Sequence, residues 1–238
     1  QTSLNYSFNK NEIDKLYNDL ERVGNYFVGQ SINVIYTKRF GGIWQSDEAE
    51  IAKIYNAEPG DYKIIDRNRN NIIDDDDRDF VGQTTPQFFG SFSNTFKSHG
   101  FDLTIFLTYA GGHKIYNPFA YLDSYSPSAN MSPDYYHNYW TPERPSNKYP
   151  RLGSTNSQLY ETDGMYQKGD YIRLKNLELG YTLPRNIANK VYASNIRVYA
   201  SVQNLVTFTK YTGFDVETSN ANPYPACRVF MGGLTVNF

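Results

Sequence analysis

A chain of 238 residues with a net charge of −2 is long enough for one large domain, and it carries no positive field that would attract nucleic acid. Its mean hydropathy is −0.62, and no apolar run approaches the roughly 20 residues of a membrane-spanning helix. The 22 Tyr and 15 Phe suit the interfacial girdles of membrane β-barrels, and they also suit sugar-binding or sandwich proteins. The single Cys227 excludes an internal disulfide.

The first part of the chain predicts two strands and a helix. Apolar and polar residues alternate over residues 2–9, which indicates a strand with two different surroundings. Residues 11–22 carry leucines and charges behind a possible N-cap, Asn11, and this predicts a short helix. A second strand is predicted over residues 32–40, and residues 43–45 continue it past a bulge at two glycines.

The clearest hairpin joins a strand over residues 88–96 to a strand over residues 101–109 through a tight turn at 97–100. On the second of these strands, alternate apolar residues share one face, with Phe106 as the exception on the other: Phe101, Leu103, Ile105, Leu107 and Tyr109. Such alternation requires one apolar and one polar environment.

Three more strands complete the chain. In residues 171–181 the alternation of apolar and polar residues shifts by one position, which predicts a bulge near Lys175 and Asn176. Residues 196–202 follow, and a closing strand over residues 228–238 places these side chains on one face: Phe230, Leu234, Val236 and Phe238. The terminal phenylalanine suits the aromatic girdle of a membrane interface.

The connections between strands alternate between short turns and long polar loops, which is typical of outer-membrane barrels. Long loops are predicted over residues 47–87, 111–169 and 209–225. The fold class predicted is therefore all-β, with antiparallel transmembrane β-barrel strands. About seven strands cannot close a barrel, and lipid does not tolerate an open sheet edge. The first residue is Gln1 rather than Met, which indicates either a processed N-terminus or a piece of a longer polypeptide. We expect the second, because the missing strands must come from elsewhere.

Several motifs follow one another along the chain: Pro59-Gly-Asp-Tyr-Lys63, residues 66–78, Gly100-Phe-Asp-Leu-Thr-Ile-Phe106, Tyr139-Trp-Thr-Pro-Glu143, Tyr149-Pro-Arg-Leu152, Asp170-Tyr-Ile-Arg-Leu-Lys-Asn176, Leu179-Gly-Tyr-Thr-Leu-Pro184 and Val202-Gln-Asn-Leu-Val-Thr-Phe-Thr-Lys-Tyr-Thr-Gly213. In this order, and over nearly the whole chain, they resemble the C-terminal part of SusC/RagA-type TonB-linked outer-membrane proteins of Bacteroidetes.

The resemblance implies an outer-membrane importer for oligosaccharides or peptides, built as a barrel of roughly 22 strands around a separate plug. Residues 1–238 would be the C-terminal part of that barrel, with 47–87 and 111–169 as extracellular loops and the plug absent. The partners implied are the remaining N-terminal strands and plug, a SusD-type surface lipoprotein that acts as a lid, the TonB complex through upstream parts, the substrate and outer-membrane lipid.

Residues 66–77 have the spacing of a twelve-residue calcium loop, in which alternate residues aim oxygen atoms at one point. The predicted metal ligands are Asp66, Asn68, Asn70, the carbonyl of Ile72, Asp74 and Asp77. Asn71 occupies the position where glycine is usual, and asparagine is the next-best residue for a positive φ. A calcium ion here would be structural, since a long loop is costly to order. The alternative is a solvated acidic turn neutralised by neighbouring arginines.

The aromatic residues Tyr135, Tyr136, Tyr139 and Trp140, with Tyr121 and Tyr125 nearby, are weak candidates for substrate binding by stacking on sugars or lining a peptide groove. The alternative, which we favour, is that they pack a large loop against itself or a lid.

No hydrolase or metalloprotease signature surrounds any of the three histidines, so we expect no enzyme. Two other classes of protein remain. A secreted, soluble β-sandwich that binds calcium and glycans would bury its apolar strand faces, whereas a barrel turns them toward lipid. A purely structural outer-membrane barrel or adhesin would share the strands and lack the transport parts.

Overall fold

The computed structural model describes residues 1–117, 120, 130–154, 159, 161–218 and 224–238. Within these residues no helix is both long and apolar enough to cross a membrane. The strands and helices, in chain order, are β1 (Thr2–Phe8), β2 (Arg22–Val23), β3 (Tyr26–Phe27), β4 (Val34–Lys38), β5 (Phe40–Ile43), α1 (Ala49–Ile54), β6 (Tyr62–Ile64), β7 (Arg78–Gln83), β8 (Phe88–Ser98), β9 (Phe101–Gly111), β10 (Lys114–Tyr116), α2 (Pro133–Asn138), β11 (Tyr166–Lys168), β12 (Tyr171–Thr182), α3 (Arg185–Ala188), β13 (Asn195–Thr209) and β14 (Val229–Asn237).

The chain divides into two compact units. The first unit consists of residues 1–10, 85–113 and 168–238, and the second of residues 11–84 and 114–167. The first unit contains a six-stranded antiparallel sheet in the order β1-β8-β9-β12-β13-β14. This agrees with the predicted all-β, antiparallel class, and the sheet is open at β1 and β14 rather than closed into a barrel.

The predicted hairpin between β8 and β9 is confirmed. His99 and Gly100 form its two-residue turn, with φ of 50° and 86°. Positive φ at both positions is the signature of the type I′ turn, whose twist matches that of the flanking strands. The predicted bulge in β12 is also confirmed, since the register shifts between Leu174 and Asn176 against both neighbouring strands.

One face of the six-stranded sheet is apolar and uncovered. Phe96, Leu103 and Leu179 lie opposite one another in adjacent strands, and the side chains of Phe96 and Leu179 are 58% and 52% exposed. No large hydrophobic side chain of these six strands is buried, and Leu234 at the β14 edge is 63% exposed. The apolar face of this unit therefore does not serve as the core of a self-contained globule.

The opposite face is polar and holds ion pairs. Arg197 on β13 contacts Asp102 on β9 at 2.5 Å and Glu178 on β12 at 2.7 Å. Its guanidinium lies over Gly180, where a Cβ would collide with it. The glycine thus makes room for an arginine that links three strands.

The second unit contains short two-stranded sheets, in which β2 pairs with β3, β4 with β7, β5 with β6 and β10 with β11. Its main core cluster consists of Ile43, Tyr62, Trp140, Leu159 and Met165. Residues 47–87, expected to be a loop, also contain α1, β6 and β7.

The strand predicted over residues 32–40 is confirmed but its place in the barrel sheet is wrong, and the helix predicted over residues 11–22 is wrong. Residues 32–40 do form strand structure, but β4 and β5 pair within the second unit and do not join the six-stranded sheet. Residues 11–22 form no α-helix, only a 3₁₀ turn at Tyr17–Asp19. The reason lies in Asn11, whose side chain accepts hydrogen bonds from Ser31 Oγ at 2.9 Å and Ile32 N at 3.1 Å instead of capping a helix.

Two adjacent glycines on opposite faces of β14 give a matched test of the sheet. A Cβ at Gly233 would overlap the ring of Tyr199, whereas a Cβ at Gly232 would meet only Tyr199 O at 3.9 Å. We expect Gly233→Ala to lower the free energy of unfolding by about 1–3 kcal/mol through overpacking. Denaturant titration should show the loss for G233A and almost none for G232A; equal losses would contradict the described register.

Candidate calcium loop and aromatic segment

The loop of residues 66–77 joins β6 to β7 in the second unit, and its backbone has the tight turn that the spacing predicts. Arg69 and Asn71 have φ of 60° and 66°. Asparagine tolerates this left-handed conformation better than most residues, which explains how the loop turns at Asn71 without a glycine.

Asp66 organises the first half of the loop. Its carboxylate accepts hydrogen bonds from the backbone N–H of Arg69 at 2.6 Å, of Asn70 at 3.3 Å and of Asn71 at 2.8 Å, and from Tyr55 Oη at 3.0 Å. Burial alone would raise the pKa of Asp66, but the bonds from Asn71, Tyr55, Arg69 and Asn70 outweigh it and hold the pKa below its usual value. These bonds therefore favour the charged form of the carboxylate.

Asp77 closes the second half of the loop and is only 1% exposed. One carboxylate oxygen accepts from Arg67 N at 2.8 Å and the other from Asp74 N at 3.0 Å. Asp74 in turn accepts from Asp76 N at 2.9 Å and caps the 3₁₀ turn Asp75–Asp77. The two ends of the loop are thus joined through one buried carboxylate.

The remaining predicted ligands point their oxygens back into the loop. Asn68 Oδ1 accepts from Asn70 N at 3.0 Å, and Asn70 Oδ1 accepts from Ile72 N at 2.8 Å. Nowhere among the described residues do three His, Cys, Asp or Glu side chains form a group fit to hold a metal. In this loop, an ion would therefore also need oxygens from the two asparagine amides and a carbonyl, which are donors that calcium accepts.

The loop also borders a cavity of about 260 Å³. Ile72 and Ile73 line one part of it, and Trp44 and Tyr55, whose rings stack with centroids 5.7 Å apart, line another. The bond from Tyr55 to Asp66 therefore fixes the loop at the edge of this cavity.

The aromatic segment is divided between interior and surface. Tyr135, on α2, is fully buried, and its hydroxyl donates to Arg151 O at 3.2 Å. Trp140 is 6% exposed, and its Nε1 donates to Gln45 Oε1 at 3.0 Å. These two side chains pack within the second unit, as expected of a large loop with its own core.

Of the other two aromatic candidates, Tyr136 is exposed and Tyr139 is half-buried. Tyr136 is 59% exposed, and the Arg144 guanidinium carbon lies 4.7 Å from the centroid of the Tyr139 ring. Substrate binding by this segment stays a prediction, in which Tyr136 and Tyr139 are the better-placed pair. Tyr121 and Tyr125 lie outside the described residues.

The sequence did not predict two ion pairs with buried carboxylates, of which only the pair of Arg173 and Asp215 is buried on both sides. Arg151 contacts Asp61 at 3.0 Å in the second unit, and Arg173 contacts Asp215 at 2.7 Å in the first. The only sequence signal for the second pair was an arginine on the polar phase of a predicted strand, and its acidic partner lies 42 residues away.

The chain is similar to known receptors over its whole length. It is 30% identical over 268 residues to TonB-dependent receptor P3 of Formosa agariphila, covering 100% of this chain and 26% of that relative. It is 27% identical over 251 residues to TonB-dependent receptor SusC of Bacteroides thetaiotaomicron, covering 99% of this chain and 24% of that relative. The chain thus spans about a quarter of the length of these relatives. No protein-family model matches it.

The fold is shared with a solved structure. The chain matches the RagAB peptide importer in the open-open state with a TM-score of 0.79 and 24% sequence identity, covering 100% of this chain and 26% of that one. At this level of identity the match concerns the fold.

The buried carboxylate of Asp77 gives a test of how the loop is held. Asp77→Asn leaves one acceptor oxygen for two backbone donors, and we expect a loss of about 1–3 kcal/mol in local stability. Hydrogen exchange at the amides of Arg67 and Asp74 should quicken in D77N. The matched control is Asp76→Asn, since Asp76 is exposed. Unchanged protection in D77N would contradict the described closure.

Proposed function

We propose that this chain, which is a portion of a SusC/RagA-type TonB-dependent receptor, forms the C-terminal wall of an outer-membrane barrel that imports oligosaccharide or peptide nutrients. In this proposal it is a component of a transporter and not an enzyme. The full receptor would contribute the other strands, the plug and the contact with TonB.

The observation that carries the proposal is the contrast between the two faces of the six-stranded sheet. Its apolar face is uncovered, with Leu4, Phe96 and Leu234 between 58% and 69% exposed. Its polar face carries ion pairs between strands. A barrel wall has this arrangement, with the apolar band toward lipid and the polar face toward the lumen. A soluble sandwich would bury the apolar face, so the exposed face argues against that rival.

The open edges support a larger assembly. In the part of the chain that the structure describes, no strand pairs with the outer side of β1 or of β14, so backbone groups there lack sheet partners. Such groups are costly in lipid, where water cannot replace the missing hydrogen bonds. We infer that the remaining barrel strands of the full receptor pair with these two edges.

The second unit supports a role outside the membrane. It has its own buried core and short strands, and α2 presents the exposed Tyr136. We propose that residues 47–87 and 111–169 belong to the extracellular side, where they meet a SusD-type lipoprotein lid and substrate. The solved relative is named as a peptide importer, and SusC as a TonB-dependent receptor. For this chain, the uptake experiment distinguishes a peptide substrate from an oligosaccharide substrate.

We further propose that residues 66–77 bind calcium as a structural ion. Asp66, Asn68, Asn70, Asp74 and Asp77 would supply side-chain oxygens and Ile72 its carbonyl. The support is the donor spacing, the positive φ of Asn71 and the turn of the backbone around the Asp66 carboxylate, which accepts from three successive amides. When bound, the ion would neutralise the carboxylates and hold the turn.

The import proposal is tested with a bacterial strain that lacks the polypeptide containing this chain. We expect the strain to lose uptake of labelled oligosaccharides or of labelled peptides, and the complemented strain to regain it. A protonophore should also abolish the restored uptake, because TonB-linked import needs an energised inner membrane. Unchanged uptake of both substrate classes would favour the structural barrel or adhesin instead.

The calcium proposal is tested by terbium luminescence and by proteolysis within residues 66–77. We expect Asp66→Asn to weaken binding of the ion at least roughly tenfold, because it removes a charged ligand. Asp76→Asn changes the charge of the loop equally and leaves the proposed ligands intact. Protection from proteolysis by calcium should follow the same order. Equal binding by both variants would refute the ligand set.

A further inference from the structure

Arg173 is far more buried than the sheet around it. It lies on the polar face of β12, and only 4% of it is exposed. Its guanidinium donates to Thr207 Oγ1 at 2.8 Å and to Asp215 Oδ1 at 2.7 Å, and it also donates to Glu217. The two acidic residues follow the end of β13, so this part of the chain turns back onto the wall that precedes it.

Asp215 ties this returning segment together. Its carboxylate accepts from Glu217 N at 2.9 Å and from Ala226 N at 2.8 Å, in addition to Arg173. Burial alone would raise the pKa of Asp215, but the bonds from Arg173 and the two backbone amides hold the pKa below its usual value. An ionised carboxylate thus connects the wall with both ends of residues 215–226.

The segment is also packed. Tyr211 and Val216 are 7% and 6% exposed, and a Cβ at Gly213 would collide with the Tyr211 ring. Glu217 makes two more bonds to β12, accepting from Lys175 Nζ at 2.7 Å and from Tyr171 Oη at 3.1 Å. Two basic and two acidic side chains balance, so the network is neutral as a whole.

We propose that residues 211–217 form a strap that Arg173 holds against the polar face of the sheet, where it narrows the passage that this face lines. Arg173 is then a positioning residue, since it acts through Asp215 and Glu217. The attachment of the strap is supported by the hydrogen bonds of Arg173 to Asp215 and Glu217. Only the narrowing of a passage rests on the proposed function.

A second arginine on the same face provides the matched control. Arg197 contacts Asp102 and Glu178, which lie on strands β9 and β12, and no segment beyond the strands takes part in these bonds. Replacing Asp102 removes an arginine–aspartate pair of the same chemistry from the same sheet and leaves the strap untouched.

The test uses Cys227, the only cysteine of the chain, which is exposed and follows Ala226. A nitroxide spin label on Cys227 in the lipid-reconstituted full receptor, with any cysteine elsewhere replaced, should give an immobilised spectral component. We expect this component to be lost in Asp215→Asn and in Arg173→Met and kept in Asp102→Asn. Glu217→Gln removes charge without emptying the buried site, and should reduce the component partly.

Each result of this experiment either supports or overturns the strap. Heat-modifiable electrophoretic migration verifies that each variant forms a folded barrel. If the spectrum is then unchanged in D215N, R173M and E217Q, the strap proposal is overturned. If D215N and R173M do not fold, an unchanged spectrum in E217Q overturns it alone. Passage size is measured separately, as the uptake of substrates of increasing length: loss of the immobilised component without any change in uptake would retain the strap and refute its narrowing role.

Discussion

The structure depends on one constraint: a pleated strand places successive side chains on opposite faces, and here the two faces have opposite chemistry over six strands. Hydrogen bonds between neighbouring strands satisfy backbone groups inside the sheet, and it is the outer edges of β1 and β14 that need partner strands in lipid. The same alternation puts Asp102, Glu178 and Arg197 together on the other face. Only the polar face of the six-stranded sheet is therefore favourable in contact with water.

The second unit is not part of the six-stranded sheet, so contacts of its own must hold its chain in one conformation. These contacts are the core around Trp140 and buried carboxylates that accept several backbone amides each. Asp77 joins the two ends of the calcium-type loop in this way, and in the first unit Asp215 accepts from Glu217 N and Ala226 N. In both places a charged side chain replaces the regular hydrogen bonding that a strand or helix would supply. A bound ion would add to that order rather than create it.

The sequence could predict what depends on local periodicity. Alternation over residues 101–109 gave the β9 strand and its apolar face, and the phase slip near Lys175 gave the bulge. The segment of residues 32–40 was read correctly as extended, but its pairing partners β7 and β6 are set by tertiary contacts that periodicity does not encode. Helix signals at residues 11–22 failed because Asn11 found partners 20 and 21 residues away. The pair of Arg173 and Asp215 could not be predicted either, because the two residues are 42 positions apart in the sequence.

The most direct test of the membrane wall is a scan of single nitroxide labels at residues 176–179 and 181 of β12 in a lipid bilayer, which measures collision with oxygen and with a water-soluble relaxation agent. Gly180 is left unlabelled, because a side chain there would collide with Arg197. We expect accessibility to alternate with a period of two, with oxygen favoured at Leu177, Leu179 and Tyr181 and the water-soluble agent favoured at Asn176 and Glu178. Low access to both agents at Leu177 and Leu179 would mean that this face is buried in protein, and it would contradict the membrane wall.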